Sequence, residues 1–588
     1  MPAISRPPRP SAPGLIAAAV CGALLVPPAP PADAQEGPIR LFPQELAPTV
    51  PPVDRPAGTP PVDAPGTPPR GFQVEGLAPP EVDSIGLAGS FEPTLWADGD
   101  PRLILSLVSQ LPVAIRNPAL QALTRRVLVT GAALDGATEG GRMLSARVER
   151  LLAMGDLDSA KRLLDQLPPS IGDPGLARLA AEVALLAGDA APACQRAADL
   201  APASGVAFWN ETLIYCRLAG GDTDGARLGL DLLREAGSGA DAAFVELATM
   251  LADGAAAGAP PALPEPAAIH VALLRLAGQP FPEPALAQAP PALLTAIARD
   301  PVLAGERQLE IAERAFAAGG LAPADLAALY AERAPQGDAL ERVRTDWGPA
   351  ARALALRAAG DQQSPQEQAA LLDATWRATS GDERALVAAA LAPQLTELAP
   401  ERALLAVAPG AARALLAAGR PLPAARWFSL LSAESGRDSA AGRELAALMP
   451  LFALAGIGDS DAVPRFDQRA VGAWRAARPD ADAKAERLFA LLDGVGSPVP
   501  DAAWWQQLEA PLERPASVPV SALWRSLERA AAERRLGETV LFALHMLNGA
   551  PAAAHPEVLT TALQALRAVG LDREARAIAV ATALGMDL

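Results

Sequence analysis

Beyond residue 34 the chain holds two cysteines, Cys194 and Cys216, and in its whole length three histidines, His270, His545 and His555. Two thiols can close a disulfide, ligate a soft metal or stay free in a core. No histidine stands near them to complete a metal site. That leaves a disulfide or two buried thiols. Each histidine lies in an Ala/Leu-rich helical context without a second ligand four residues on. They read as surface or core residues rather than catalysts. No GxSxG, HExxH, CxxC or GK[ST] motif occurs, so serine hydrolase, zincin, thioredoxin-like and P-loop chemistry lose their usual support. No catalytic residue, cofactor or metal ligand is assigned.

The elements that must position these residues are announced by a repeat. Gly155, Gly188 and Gly221 stand 33 residues apart, followed by Asp156, Asp189 and Asp222, with Ala160, Ala193 and Ala226 five positions after the glycines. The copies read LLAMGDLDSAKRLLDQL, ALLAGDAAPACQRAADL and RLAGGDTDGARLGLDLL. They agree again at Leu152, Leu185 and Leu218, and at Leu167, Leu200 and Leu233. Glycine past a run of helix formers takes the left-handed conformation freely, and the aspartate after it can cap the next helix. The alanine leaves room for two helices to cross closely. A period of this length marks stacked helix pairs.

On these residues the chain resembles the tetratricopeptide repeat, and Leu416, Gly419, Ala424, Phe428 and Leu431 fit the same template once more. The tyrosine and proline signatures of that family are mostly missing. The resemblance implies an all-α, right-handed superhelical solenoid of antiparallel helix pairs. In that register Cys194 falls early in the second helix of one repeat and Cys216 late in the first helix of the next, antiparallel across a turn near residues 201–205. A disulfide between them is the expectation.

The ends set a compartment. Arg6 and Arg9 precede an apolar run from Leu15 to Val26, and Ala32-Asp33-Ala34 fits a small-x-small cleavage site, so residues 1–34 read as a signal peptide. Residues 35–80, with TPPVDAPGTPP at their centre, carry too few large apolar groups to pack and read as a disordered linker. Helical repeats are expected over 81–252, a Pro/Ala/Gly-rich joint over 253–266, irregular helix pairs over 267–496, and final pairs over 497–588. Gly319-Gly320, Gly360-Asp361, Gly381-Asp382, Gly419, Gly458-Asp459, Gly537 and Gly570 are the expected later turns. Trp427, Trp474, Trp504, Trp505 and Trp524 read as core filler, with a binding groove as the other reading.

The 588 residues carry a formal net charge of −17, and removing the leader takes away two arginines and one acid. Phosphate binding needs a basic face, so nucleic acid is not an expected partner. No segment after the leader is long and apolar enough to span a membrane. The stretch from Trp209 to Glu235 is similar to part of a group of exported alphaproteobacterial proteins, some labelled as antifreeze-glycopeptide-related. The periplasm is the expected location, with secretion as the alternative.

SAESGRDSAAGRELAALMP, from Ser432 to Pro450, resembles the Glu-Ser core of lytic transglycosylases. That resemblance implies Glu434 as the single general acid. The Gly-Leu-Met-Gln element and a later tyrosine are absent, and the simpler reading is a solvated carboxylate at a helix end. The expected function is an exported scaffold or adaptor that binds protein or peptide partners in envelope assembly. A peptidoglycan-directed protein is the alternative.

Overall fold

The computed structural model describes residues 82–96, 99–131, 141–168, 173–204, 206–235, 241–254, 258–381, 383–457, 466–509 and 518–588. The leader with Ala32 and Ala34, the linker 35–80, and the turns at Asp382 and Gly458-Asp459 lie outside them. Glu75–Leu588 forms one compact unit. Among the described residues there are α-helices and short 3₁₀ turns and no strand. Many of the prolines are compatible with this because they sit where helices begin, although Pro202, Pro393 and Pro450 lie inside helices. Asp100, Asn117 and Asp173 accept backbone N–H groups in front of Pro101, Pro118 and Pro174. A proline at the first helical position gives up a donor that has no intrahelical partner anyway.

Among the described residues the first nine α-helices are α1 (Pro101–Ser109), α2 (Pro118–Leu128), α3 (Arg142–Ala153), α4 (Leu157–Leu164), α5 (Pro174–Ala187), α6 (Ala190–Ser204), α7 (Ala207–Ala219), α8 (Thr223–Glu235) and α9 (Ala242–Ala252). From α3 to α9 each packs on the next. The turns inside α3–α4, α5–α6 and α7–α8 share one geometry. Gly155, Gly188 and Gly221 have φ of 80°, 77° and 79°. In each, the glycine N–H reaches the carbonyl three residues back and the aspartate N–H the carbonyl five back, which satisfies the last free carbonyls of the helix. Asp156 and Asp222 then accept from Ser159 and Gly225 N–H. Ala160, Ala193 and Ala226 are fully buried at the crossings.

No helix runs between Ala252 and Ala268 among the described residues. Beyond that stretch the chain folds back on the early repeats. Helix Ala268–Ala277 packs on α5, and helix Pro291–Arg299 on α3, α4 and α5. Thr295 Oγ1 donates to the Gly155 carbonyl, 140 residues away, at 2.9 Å. The last helix, Asp572–Gly585, packs on α2, on Ala408–Ala417 and on Ser439–Ala455. Asn117 fastens that seam. Its oxygen caps α2, while its Nδ2 donates to Ile578 O at 3.2 Å and Thr582 Oγ1 at 3.0 Å. Arg126 pairs with Glu574 at 2.8 Å, and His545 Nε2 meets Leu107 O at 2.9 Å. The path of helices therefore closes on itself instead of ending as an open stack.

Two expected turns move. Gly360 lies inside helix Pro349–Asp361. Gly537 lies inside helix Leu536–Leu547, where a Cβ would strike Leu95 O and the Trp96 ring. The turn before that helix is made by Arg534 at φ 56°, with the same two hydrogen bonds as the glycine turns.

Candidate functional site

Closing the path leaves a cavity of about 1030 Å³. Its wall is assembled from helix ends: the starts of α2 and α4, the Gly319-Gly320 turn, helix Glu383–Glu397, the Gly419 turn, the Gly456 end of Ser439–Ala455, and the start of Asp572–Gly585. The space exists because facing positions are small. Ala119, Ala122, Ala385, Ala389, Ala417 and Ala581 are among the lining residues, where longer side chains would have filled more of the interior.

The chemistry of the wall is cationic. Five arginines line it, Arg116, Arg125, Arg162, Arg573 and Arg576, against three aspartates, Asp156, Asp158 and Asp572. Arg125 bonds both Asp156 and the Gly319 carbonyl, tying two turns together. Arg299 holds Asp158 with two hydrogen bonds at 2.7 and 2.5 Å. Those bonds keep the Asp158 carboxyl below the usual carboxylate range despite its partial burial. Burial works against ionisation of Asp572, and hydrogen bonds from Arg567 and Arg576 outweigh it, so its carboxyl is also held down. All three aspartates are already paired within the protein.

Of the residues singled out in the sequence, Asp156, Gly319, Gly320, Leu416 and Gly419 are in the wall, and Asp156 is the charged one among them. Gly188-Asp189 and Gly221-Asp222 turn elsewhere along α5–α8. Cys194 and Cys216 are joined, with Cα atoms 5.7 Å apart, and tie α6 to α7. Glu434 ends helix Pro421–Glu434, but it is not solvated. It is 8 % exposed, with Arg402 at 3.4 Å and Arg437 at 3.6 Å on its two oxygens. Neighbouring arginines cover it, and it takes no part in the cavity wall. Trp427 and Trp474 are core residues, whereas Trp505 is 66 % exposed.

His270 is buried, its Nδ1 accepting from Ala267 N–H and its Nε2 standing 3.0 Å from Asp241 Oδ2. The sequence reading assigned no role to the wall arginines, since they come from separate segments with no local motif. Among the described residues no group of His, Cys, Asp and Glu side chains is arranged to hold a metal ion, and no helix is long and apolar enough to cross a membrane. No family model, curated protein or solved structure matches the chain.

Proposed function

We propose that this chain is an exported, tetratricopeptide-like helical protein that binds a protein or peptide partner in its central cavity and serves as a scaffold or adaptor in the cell envelope. The observation that carries the reading is the cavity of about 1030 Å³, walled by alanines, helix ends and arginines. Pockets of this size bury most of a ligand's surface while a few polar groups orient it. The 33-residue turns support the repeat assignment and its right-handed superhelical form. The Cys194–Cys216 disulfide and the leader in the sequence both favour an oxidising compartment, with the periplasm first and secretion second.

A photo-crosslinking residue placed at Ala389 in the wall, and another at exposed Leu422, test this in cells. Adducts specific to position 389 are expected. Identical adducts at both positions, or none at 389, count against the cavity as the binding site. Catalysis has its own check in the digestion of purified peptidoglycan sacculi. Muropeptide release by the native chain, lost in Glu434→Gln, would replace the binding reading with a transglycosylase.

A further inference from the structure

We propose that the cavity selects acidic side chains of a peptide, with Arg162 and Arg573 as the cations that receive them. This inference rests on the peptide-binding reading above. The wall aspartates are satisfied within the protein: Asp156 by Arg125, Asp158 by Arg299, and Asp572 by Arg567 and Arg576. Arg162 and Arg573 also line the cavity. Both are exposed, and neither makes a hydrogen bond or ion pair through its side chain with any described residue. Apart from the through-space attraction between Arg162 and Asp158, the two guanidinium groups are left unpaired in a chain whose formal net charge is −17.

Charges of one sign inside a concave, low-dielectric wall focus the field and raise the local concentration of the opposite sign. Helix geometry adds to this. Helices Pro323–Arg333, Pro421–Glu434 and Asp572–Gly585 begin at the wall, and none has a side chain capping its first turn. The positive dipole ends of these helices add to the cationic character of the wall. Guanidinium groups bind carboxylates through paired, charge-assisted hydrogen bonds. The alanine lining leaves room for an extended main chain between them. A basic peptide would meet the same field as repulsion, so the wall discriminates by sign.

The test is affinity selection on the purified protein from a random hexapeptide library, read by mass spectrometry. Arg162→Glu/Arg573→Glu and Arg162→Gln/Arg573→Gln are run beside it. Neither arginine is paired, so both double variants are expected to keep the native melting temperature. Asp and Glu should be enriched in the bound peptides, with that enrichment falling at least tenfold in the Gln pair and reversing toward Lys and Arg in the Glu pair. Retention without charge preference overturns acidic selection and leaves peptide binding standing. A library that is not retained at all overturns peptide binding itself. Citrate, which offers carboxylates without a peptide backbone, is titrated separately. Citrate binding with no hexapeptide retained makes the cavity a small-polyacid site and sinks the proposal.

Discussion

In the three regular repeats, a fixed spacing sets each helix against its neighbour in sequence, and the disulfide adds a covalent tie between two adjacent helices. From Ala268 onward the same turn recurs at Gly278, Gly319, Gly419, Gly496 and Gly570, with positive φ and the same pair of hydrogen bonds, but at no constant interval. What replaces the interval is contact between segments far apart. Thr295 reaches Gly155, Arg299 reaches Asp158, and Asn117 reaches Ile578. A regular solenoid is held together by nearest-neighbour interfaces. Here the later region uses the regular one as a surface to pack on, and the cavity is what the two enclose. The local device that makes a helix pair is thus independent of the device that makes a site.

Two glycines separate these devices most sharply. Gly320 sits where the later region abuts the early one. A Cβ there would lie 2.6 Å from the Gly155 carbonyl oxygen and would overlap the Thr295 hydroxyl. Neither obstacle is a flexible side-chain end. Gly320→Val is expected to destabilise by about 3 kcal/mol or more, measured by denaturant unfolding. At Gly188 the nearest atoms belong to the Arg275 side chain at 3.5 Å and beyond, so only the left-handed backbone opposes a side chain. Gly188→Val is expected to cost about 1–2 kcal/mol. Equal costs at the two sites would mean that the seam between the regions yields as easily as a turn.

Removing the disulfide probes the regular region alone. Cys194 and Cys216 enclose a separation of 22 residues, and opening such a loop in the unfolded chain is worth roughly 3 kcal/mol in the chain-entropy account. Cys194→Ser/Cys216→Ser should therefore lower the unfolding midpoint. Stability of the double variant should also become insensitive to reductant. Binding in the cavity, whose wall includes neither α6 nor α7, should survive at temperatures where the chain stays folded. A binding defect with intact folding would show that α6 and α7 bear on a site that the regular repeats otherwise join only through α4.

The turns at Gly155, Gly188 and Gly221 were legible because their geometry demands a particular residue, and a demanded residue at a fixed interval can be counted. Gly254 stands a further 33 residues on, also with positive φ. The same count would have found it. The turn at Arg534 escaped because a non-glycine residue takes the left-handed conformation there, and the nearby Gly537 drew the assignment. The cysteine pairing followed from the repeat register. Ring closure left no comparable trace. Asn117 reads locally as a helix cap, and its bonds to Ile578 and Thr582 have no sequence signature. The cavity is still less legible, since it consists of alanines failing to fill a space that only the closed path defines.

The smallest expected effect comes from two histidines that hold different joins. His270 fastens helix Ala268–Ala277 to Asp241 at the start of α9, where the regular repeats end, and His545 fastens helix Leu536–Leu547 to α1. Burial lowers the pKa of His270, with Asp241 opposing, and burial likewise lowers that of His545, with its bond to Leu107 opposing. A base with a depressed folded pKa stays neutral while its unfolded counterpart takes up a proton near the ordinary 6.5. The unfolded chain then binds more protons, so stability is complete above that pH and falls as pH drops through and below it. Glu211, beside Asp241, acts with the opposite sign. Burial raises its pKa, so its contribution is present at acid pH and is lost as pH climbs above the ordinary 4.5. Denaturant unfolding at a series of pH values between 5 and 7.5 should show native stability falling toward the acid end. His270→Gln and His545→Gln should each flatten that slope, and Glu211→Gln should steepen it relative to the native chain. If His545→Gln flattens it and His270→Gln does not, the proton-sensitive join is the ring-closing seam, and the contact at the end of the regular repeats is not.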